Sequence, residues 1–320
     1  MLVLYLDLYM DDAFKVRRGR KKFDYRVGQH LPLNEIKKHL EETYKVKKLW
    51  QGKRHVLGII QIKGKEAFLK LSTTPGISIR TETERAWNDQ VNRYSQDPNF
   101  VVPKNISSGY YKNKLFYMIT EYFQGPLIAD LELKRNNIAK NIDKIIKVSA
   151  IIQDLPLEIP INDAIQSEDF RKWFIFKTKS WLDTIPEKIK IKHEEIGSLW
   201  REVLSGSSSL EKKVRHGDFT PWHMIGLGKG KLGLIDGEHA HSYGVEYYDI
   251  CYFIQRVFCV LNNPNLAKLI FSALLKRNYH KEKLRTVLAA RGIGGFLDQS
   301  FNTHPDYKYE KMFSEWVLYL

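Results

Sequence analysis

The side chains best placed to do chemistry lie in one stretch, Val214–Ala240, which reads VRHGDFTPWHMIGLGKGKLGLIDGEHA. Asp218 follows His216-Gly217 at the end of a short apolar start, and Asp236 ends the apolar run Leu232–Ile235. A Gly-Lys-Gly-Lys turn lies between them, so the segment reads as strand, loop, strand, turn, strand. Isolated carboxylates at two strand ends are costly as plain structure, because a desolvated charge needs a partner. The arrangement makes sense if the two acids face one metal-bound ligand.

A second position is Lys70, inside the apolar strand Ala67-Phe68-Leu69-Lys70-Leu71. Two readings compete: an outward-facing lysine on an edge strand, or a lysine that reaches into a cleft to hold phosphate and is paired with a carboxylate. The pattern of Ile79, Trp87, Val91 and Tyr94 predicts a helix over Ile79–Tyr94. Glu84 shares its apolar face, whereas Glu82 lies on a more polar side. A glutamate on the apolar face wants a buried partner, so Glu84 is assigned to Lys70. The alternative is a solvated glutamate near a helix start, where acids are favoured.

The elements that must position these residues follow from the pattern. Leu33, Ile36, Leu40 and Tyr44 predict a helix with Asn34 as its cap. Lys45–Trp50, His55–Lys63 and Glu66–Leu71 predict an antiparallel three-stranded meander with turns at Gln51-Gly52-Lys53 and Gly64-Lys65. Val101–Pro103, Ile106–Tyr111 and Leu115–Phe123 are expected to extend that sheet. Gly125-Pro126 breaks the pattern and marks a domain boundary. Beyond it, Asn137–Leu155, Asp163–Ile185, Glu187–Leu204, Tyr248–Leu261, Leu266–Lys276, Lys281–Ala290 and Tyr309–Leu320 read as helices, with Gly292–Gly295 as a loop. The expected division is an amino-terminal extension over 1–28, a mostly β lobe over 29–124 and a helical lobe over 125–320.

The totals bound the partners. The chain has 320 residues, 43% hydrophobic and 12% aromatic, which suits a folded protein of one large or two modest domains. Fifty-one Lys and Arg against 37 Asp and Glu give +14. That balance admits nucleic acid, an anionic membrane surface in peripheral contact, a phosphate-rich ligand, or plain solvated lysines. No nucleic-acid-binding signature accompanies the charge. The two cysteines, Cys251 and Cys259, fall on one expected helix about 12 Å apart. That is too far for a disulfide, so a cytoplasmic location is expected. Leu2–Met10 is too short for a membrane span and is interrupted by Asp7.

With these elements in order, the chain resembles the aminoglycoside phosphotransferase and choline kinase group of small-molecule kinases, which share the protein-kinase fold. The resemblance rests on His216-Gly217-Asp218-Phe219-Thr220-Pro221-Trp222-His223, close to the group's HGDxxxxN, and on Leu234-Ile235-Asp236-Gly237-Glu238, close to its I-D-W-E. It covers the chain from about Leu31 onward and implies an α+β, bilobal fold with a small antiparallel-sheet lobe and a larger helical lobe. It also implies an ATP- and Mg²⁺-dependent kinase acting on a small-molecule hydroxyl. Asp218 would accept the hydroxyl proton and Asp236 would hold Mg²⁺. Lys70, steadied by Glu84, would hold the nucleotide phosphates, with Glu121 and Phe123 beside the nucleotide just before the Gly-Pro boundary. Asp249 resembles the group's structural aspartate, but its residue type and place at a helix start favour an N-cap. His216 reads as a packed structural residue.

One departure stands out: His223 replaces the asparagine that supplies the group's second metal contact. Imidazole is a softer ligand than Mg²⁺ prefers. Three readings stay open: a metal held by Asp236 with His223 or water, a His223 that orients Asp218, or a kinase-like scaffold without activity. A related branch, the lipopolysaccharide core sugar kinases, resembles this string with histidine at the same place. Few acids follow Asp249, so a neutral or anionic acceptor such as a sugar is expected over a polycationic aminoglycoside.

Overall fold

The computed structural model describes residues 12–133 and 135–320. The apolar segment Leu2–Met10 lies outside them. In chain order the elements are β1 (Lys15–Arg18), β2 (Lys21–Asp24), α1 (Leu33–Glu41), β3 (Lys45–Gln51), β4 (His55–Ile62), β5 (Lys65–Ser72) and α2 (Pro75–Tyr94). Next come β6 (Phe100–Val101), β7 (Asn105–Tyr111), β8 (Leu115–Glu121), β9 (Ala129–Asp130) and β10 (Arg135–Asn136). The carboxyl-terminal part holds α3 (Ile142–Asp154), α4 (Phe170–Thr184), α5 (Glu187–Lys192), α6 (Glu195–Gly206), β11 (Lys212–Arg215), β12 (Met224–Gly226), β13 (Leu232–Leu234) and β14 (His241–Val245). It ends with α7 (Tyr248–Cys259), α8 (Pro264–Leu275), α9 (Lys281–Ser300) and α10 (Lys308–Tyr319).

The amino-terminal lobe is a five-stranded antiparallel sheet in the order β3-β4-β5-β8-β7. Successive strand residues face opposite ways. In β5, Leu69 and Leu71 join Ile36 and Leu40 of α1 in one core. Lys70 therefore faces the other side of the sheet, toward α2, and the same alternation that buries its neighbours aims it into the interior. The chain has an α+β architecture with a small sheet lobe and a larger helical lobe, as expected. The helical lobe has its own core, in which Trp173, Phe174, Phe253, Phe258, Phe296 and Phe313 are almost wholly buried.

Several expectations need correction. The Thr-Thr-Pro-Gly segment is not a loop before the second helix but its first turn. The Thr74 hydroxyl accepts from the Ile77 N–H at 3.3 Å, and Pro75 occupies a position whose missing N–H costs nothing. Pro32, not Asn34, precedes α1. Strand β6 leaves the large sheet and pairs in parallel with β13 of the other lobe. Gly292–Gly295 is not a loop but the interior of α9. The glycines are there because neighbours come close: a Cβ on Gly292 would lie 2.9 Å from Leu199 Cδ1 of α6, and one on Gly295 2.8 Å from Gln255 Nε2 of α7.

Residues 12–28, within the expected amino-terminal extension, pack into the fold. β1 and β2 form a hairpin whose Val16 is fully buried, and Val16, Tyr25, Ile77 and Ile79 form a small core against α2. An isolated bridge joins Val16 to Asp163 of the helical lobe. Cys251 and Cys259 lie on α7, buried and unpaired. Among the described residues no helix is long and apolar enough to cross a membrane.

Helix α2 carries Glu84, so its cap bears on the site. Replacing Thr74 with Ala is expected to lower stability by about 1 kcal/mol, whereas Thr74→Ser stays near wild type. Chemical unfolding of the three proteins checks this.

Candidate active site

The site lies where β5, α2 and the β11–β14 segment meet. The Lys70 ammonium lies 2.5 Å from Glu84 Oε2, 2.5 Å from Asp236 Oδ1 and 3.4 Å from Glu238 Oε2. Three carboxylates thus share one buried lysine. Arg54, at the start of the β4 hairpin, reaches the other oxygen of Glu238 at 2.5 Å. Burial alone would lower the Lys70 pKa, but Asp236, Glu84 and Glu238 together raise it, so the ammonium stays charged. Burial pushes Asp236 up, yet Lys70, His223 and Arg54 together overcome it and hold the carboxylate ionised. Glu84 shows the opposite balance: burial dominates over Lys70 and moves it up, to about 7.

Asp236 occupies a left-handed conformation at φ +66°, which is uncommon for a side-chain-bearing residue and is a form of strain found at functional sites. The next residue must be glycine, since a Cβ on Gly237 would lie 2.2 Å from Trp87 Cδ1. Trp87 is on α2, three residues from Glu84. The same helix therefore presents the partner of Lys70 and packs beneath the strand end that carries Asp236.

Asp218 is held by its loop. The Asp249 carboxylate accepts the N–H groups of His216 at 2.8 Å and Gly217 at 2.9 Å, just before it. Asp249 thus latches the loop rather than capping its own helix, which corrects the expectation; Tyr247 occupies the cap position. Burial raises Asp249, to about 6, even against these two donors. His216 is fully buried, accepts the Asp218 N–H on Nδ1 at 3.3 Å and meets Trp87 edge-on. Burial lowers its pKa to about 4, so the neutral ring serves as a packed acceptor.

His223 links the two acids. Its Nδ1 lies 3.0 Å from the Asp218 carbonyl oxygen and 3.6 Å from Asp218 Oδ2, and its Nε2 lies 3.4 Å from Asp236 Oδ2. One ligand atom from each of Asp218, His223 and Asp236 falls within 4.8 Å of the others. The oxygen donors suit Mg²⁺. The imidazole suits it less, and both ring nitrogens already face protein oxygens.

Two cavities meet here. One, of about 300 Å³, is lined by Leu57, Phe68, Lys70, Glu84, His223 and Asp236, with Glu121, Tyr122 and Phe123 along its edge. The other, of about 610 Å³, is lined by Asp218, by Phe14 and Tyr25 of the amino-terminal hairpin region, and by α4, α7 and α9. The residues singled out in the sequence, Lys70, Glu84, Glu121, Phe123, Asp218, His223 and Asp236, all lie on one or the other. Arg54 lines both.

No family model matches the sequence, and no curated protein matches it. Solved structures do. A thermostable variant of aminoglycoside phosphotransferase APH(4)-Ia, in complex with AMP-PNP and hygromycin B, has a TM-score of 0.66 at 14% identity, covering 89% of this chain and 98% of that one. Spectinomycin phosphotransferase APH(9)-Ia with ADP and spectinomycin gives 0.57 at 13%, covering 91% and 98%. Choline kinase LicA from Streptococcus pneumoniae gives 0.56 at 16%, covering 90% and 98%. The chain has the small-molecule phosphotransferase fold. Nearly the whole length of each neighbour is covered, so this phosphotransferase fold extends through both lobes and includes the junction that holds the site.

Sequence reasoning missed Glu238 and Arg54 as members of the cluster. Glu238 stood in the same short string as Asp236, but both lie in the β13–β14 connection, where no alternation rule places their side chains. Arg54 follows a turn and carries no local signal.

Burial pushes His223 down, but the carboxylates of Asp218 and Asp236 overcome it and raise its pKa above the ordinary 6.5. Its charge therefore stabilises the fold fully below pH 6.5, and that contribution is lost as pH rises through the higher folded value. Imidazole NMR should show one of the ten histidines titrating above 6.5, and Asp218→Asn or Asp236→Asn should each lower it. An unchanged value in both variants would contradict the assignment.

Proposed function

We propose that the protein transfers the γ-phosphoryl group of ATP to a hydroxyl of a small molecule. The observation that carries this reading is that two adjacent carboxylates face different cavities. Asp236 lines the smaller cavity with Lys70, and Asp218 lines the larger one, while His223 bridges between them. Phosphoryl transfer needs a nucleotide and an acceptor in line across one point, with charge neutralised on the donor side and a proton acceptor on the other.

In this reading the smaller cavity takes the nucleotide, with Glu121 and Phe123 at its edge. Lys70 contacts its phosphates and is held in place by Glu84. Asp236 would supply the carboxylate for Mg²⁺. Bound Mg²⁺ offsets charge on those phosphates. His223 acts as a positioning residue rather than a metal ligand, because it ties the Asp218 loop to the Asp236 strand end. The acceptor hydroxyl oxygen bonds to the γ-phosphorus as the bond to the β–γ bridging oxygen breaks. ADP leaves, and the hydroxyl proton passes to Asp218.

The charge of the larger cavity favours a neutral or anionic acceptor over a polycationic one. Seven cationic side chains line it against three carboxylates, Asp163, Asp218 and Asp298. A second reading, a nucleotide-binding scaffold, draws on the replacement of the second metal-binding asparagine by His223.

Transfer of labelled γ-phosphate to a panel of small hydroxyl compounds separates the two. Asp218→Asn is expected to lower turnover by about 10²–10⁴-fold, the usual worth of a positioned proton acceptor, with the KM for ATP within about threefold. Asp236→Asn should raise the Mg²⁺ concentration needed for half-maximal rate. Tight ATP binding with no Asp218-dependent transfer to any compound would favour the scaffold.

A further inference from the structure

We propose that the acceptor carries an anionic group, a phosphate or a carboxylate, held by the guanidinium groups of Arg215 and Arg291 while its hydroxyl lies at Asp218. This rests on the phosphotransferase reading and adds the class of acceptor to it.

Five of the seven cations around the larger cavity pair with carboxylates of the protein. Arg26 pairs with Asp24 at 2.9 Å, Arg54 with Glu238 at 2.5 Å and Arg256 with Asp298 at 2.6 Å. Arg80 and Lys177 both pair with Asp163. Arg215 and Arg291 remain. Among the described residues neither has a carboxylate within 4 Å, although they are only 5% and 4% exposed. Nε and Nη1 of Arg215 and Nε of Arg291 have no hydrogen-bond partner among them. A guanidinium cannot shed its proton to escape this cost, and a buried unpaired charge is strongly unfavourable. Nearby acids are already committed: Asp163 to two cations, and Asp249 to two backbone N–H groups.

Aromatic faces keep both groups in place without neutralising them. Arg215 Cζ lies 4.1 Å from the Tyr248 ring centroid and 4.6 Å from that of Trp173. Arg291 Cζ lies 4.0 Å from the Tyr252 centroid and 4.9 Å from that of Trp181. Tyr248 is shared, since Arg291 approaches its ring at 5.7 Å and donates from Nη1 to its hydroxyl at 3.0 Å. Cation–π contacts offset part of the desolvation, but they bring two like charges to one tyrosine. An anion with two or three acceptor oxygens resolves this, because planar guanidinium forks match carboxylate and phosphate geometry. Both arginines line the same cavity as Asp218, so an acceptor anchored there brings its hydroxyl to the reacting carboxylate. An aminoglycoside bearing several amines would meet the same two charges as repulsion.

Calorimetry on the protein saturated with Mg²⁺ and AMP-PNP tests this without knowledge of the true acceptor. The probes are inorganic phosphate, glucose 6-phosphate, glucuronate, glucose and kanamycin. The phosphate-bearing and carboxylate-bearing probes distinguish the two anions. Inorganic phosphate is expected to bind at a second site with the nucleotide in place, and at least one anionic sugar to bind more tightly than glucose or kanamycin. Arg291→Gln and Arg215→Lys should each weaken the anions by about thirty-fold or more while AMP-PNP affinity stays within twofold, which also shows that the variants are folded. No anion binding beside the nucleotide, equal or tighter binding of glucose or kanamycin, or anion affinity unchanged in both variants would overturn the proposal. Failure of the wild type to bind AMP-PNP would instead count against the phosphotransferase reading.

Discussion

One ammonium group among three carboxylates is the constraint on which the rest of the structure depends. Lys70 is buried, and Glu84, Asp236 and Glu238 converge on it from a helix of one lobe and a strand end of the other. Arg54 adds a second positive charge at Glu238, and Asp218 and Asp236 raise the pKa of His223 beside them. Such a cluster is costly as a purely structural device, because desolvating ions often outweighs their mutual attraction. The cluster also joins the lobes: β5 and α2 supply Lys70 and Glu84, while the β13–β14 connection supplies Asp236 and Glu238.

The supports around the cluster follow from that demand. Asp236 adopts a strained backbone, and Trp87 packs so tightly against Gly237 that the strand end has little room to move. Asp249 latches the loop before Asp218, and His216 fills the space beneath it. His223 then spans from the Asp218 carbonyl to the Asp236 carboxylate. Its raised pKa and its two oxygen neighbours give it a physical role that asparagine could not fill, since a protonated imidazole donates from both nitrogens and carries a charge into an acid-rich site.

Much of the Lys70 cluster was legible in the sequence because its signals are local. A lysine inside an apolar strand and a glutamate on the apolar face of a helix each ask for a partner, and Lys70 and Glu84 are 2.5 Å apart. Asp218 and Asp236 stood out as acids at strand ends. The larger cavity was not legible. Its wall is assembled from the amino-terminal hairpin region, α2, α4, β11, α7 and α9, and no spacing rule links Tyr25 to Arg215 or Arg291. Residues 12–28 fell within an expected extension because the burial of Val16 and Tyr25 depends on α2, far along the chain. The Gly292–Gly295 run read as a loop because glycine weakens a helix in isolation, whereas here close packing of α9 against α6 and α7 requires it.

The proposed reaction requires Lys70, Asp236 and Asp218 to surround a transferring phosphoryl group, with nucleotide in the smaller cavity. A crystal structure with Mg²⁺ and AMP-PNP tests it most directly. The nucleotide is expected between Lys70 and the Glu121–Phe123 segment, with the Lys70 ammonium on its phosphates and Glu84 still attached, Asp236 on the metal, and His223 outside the coordination sphere. A nucleotide bound elsewhere, or phosphates out of reach of both Lys70 and Asp236, would contradict it.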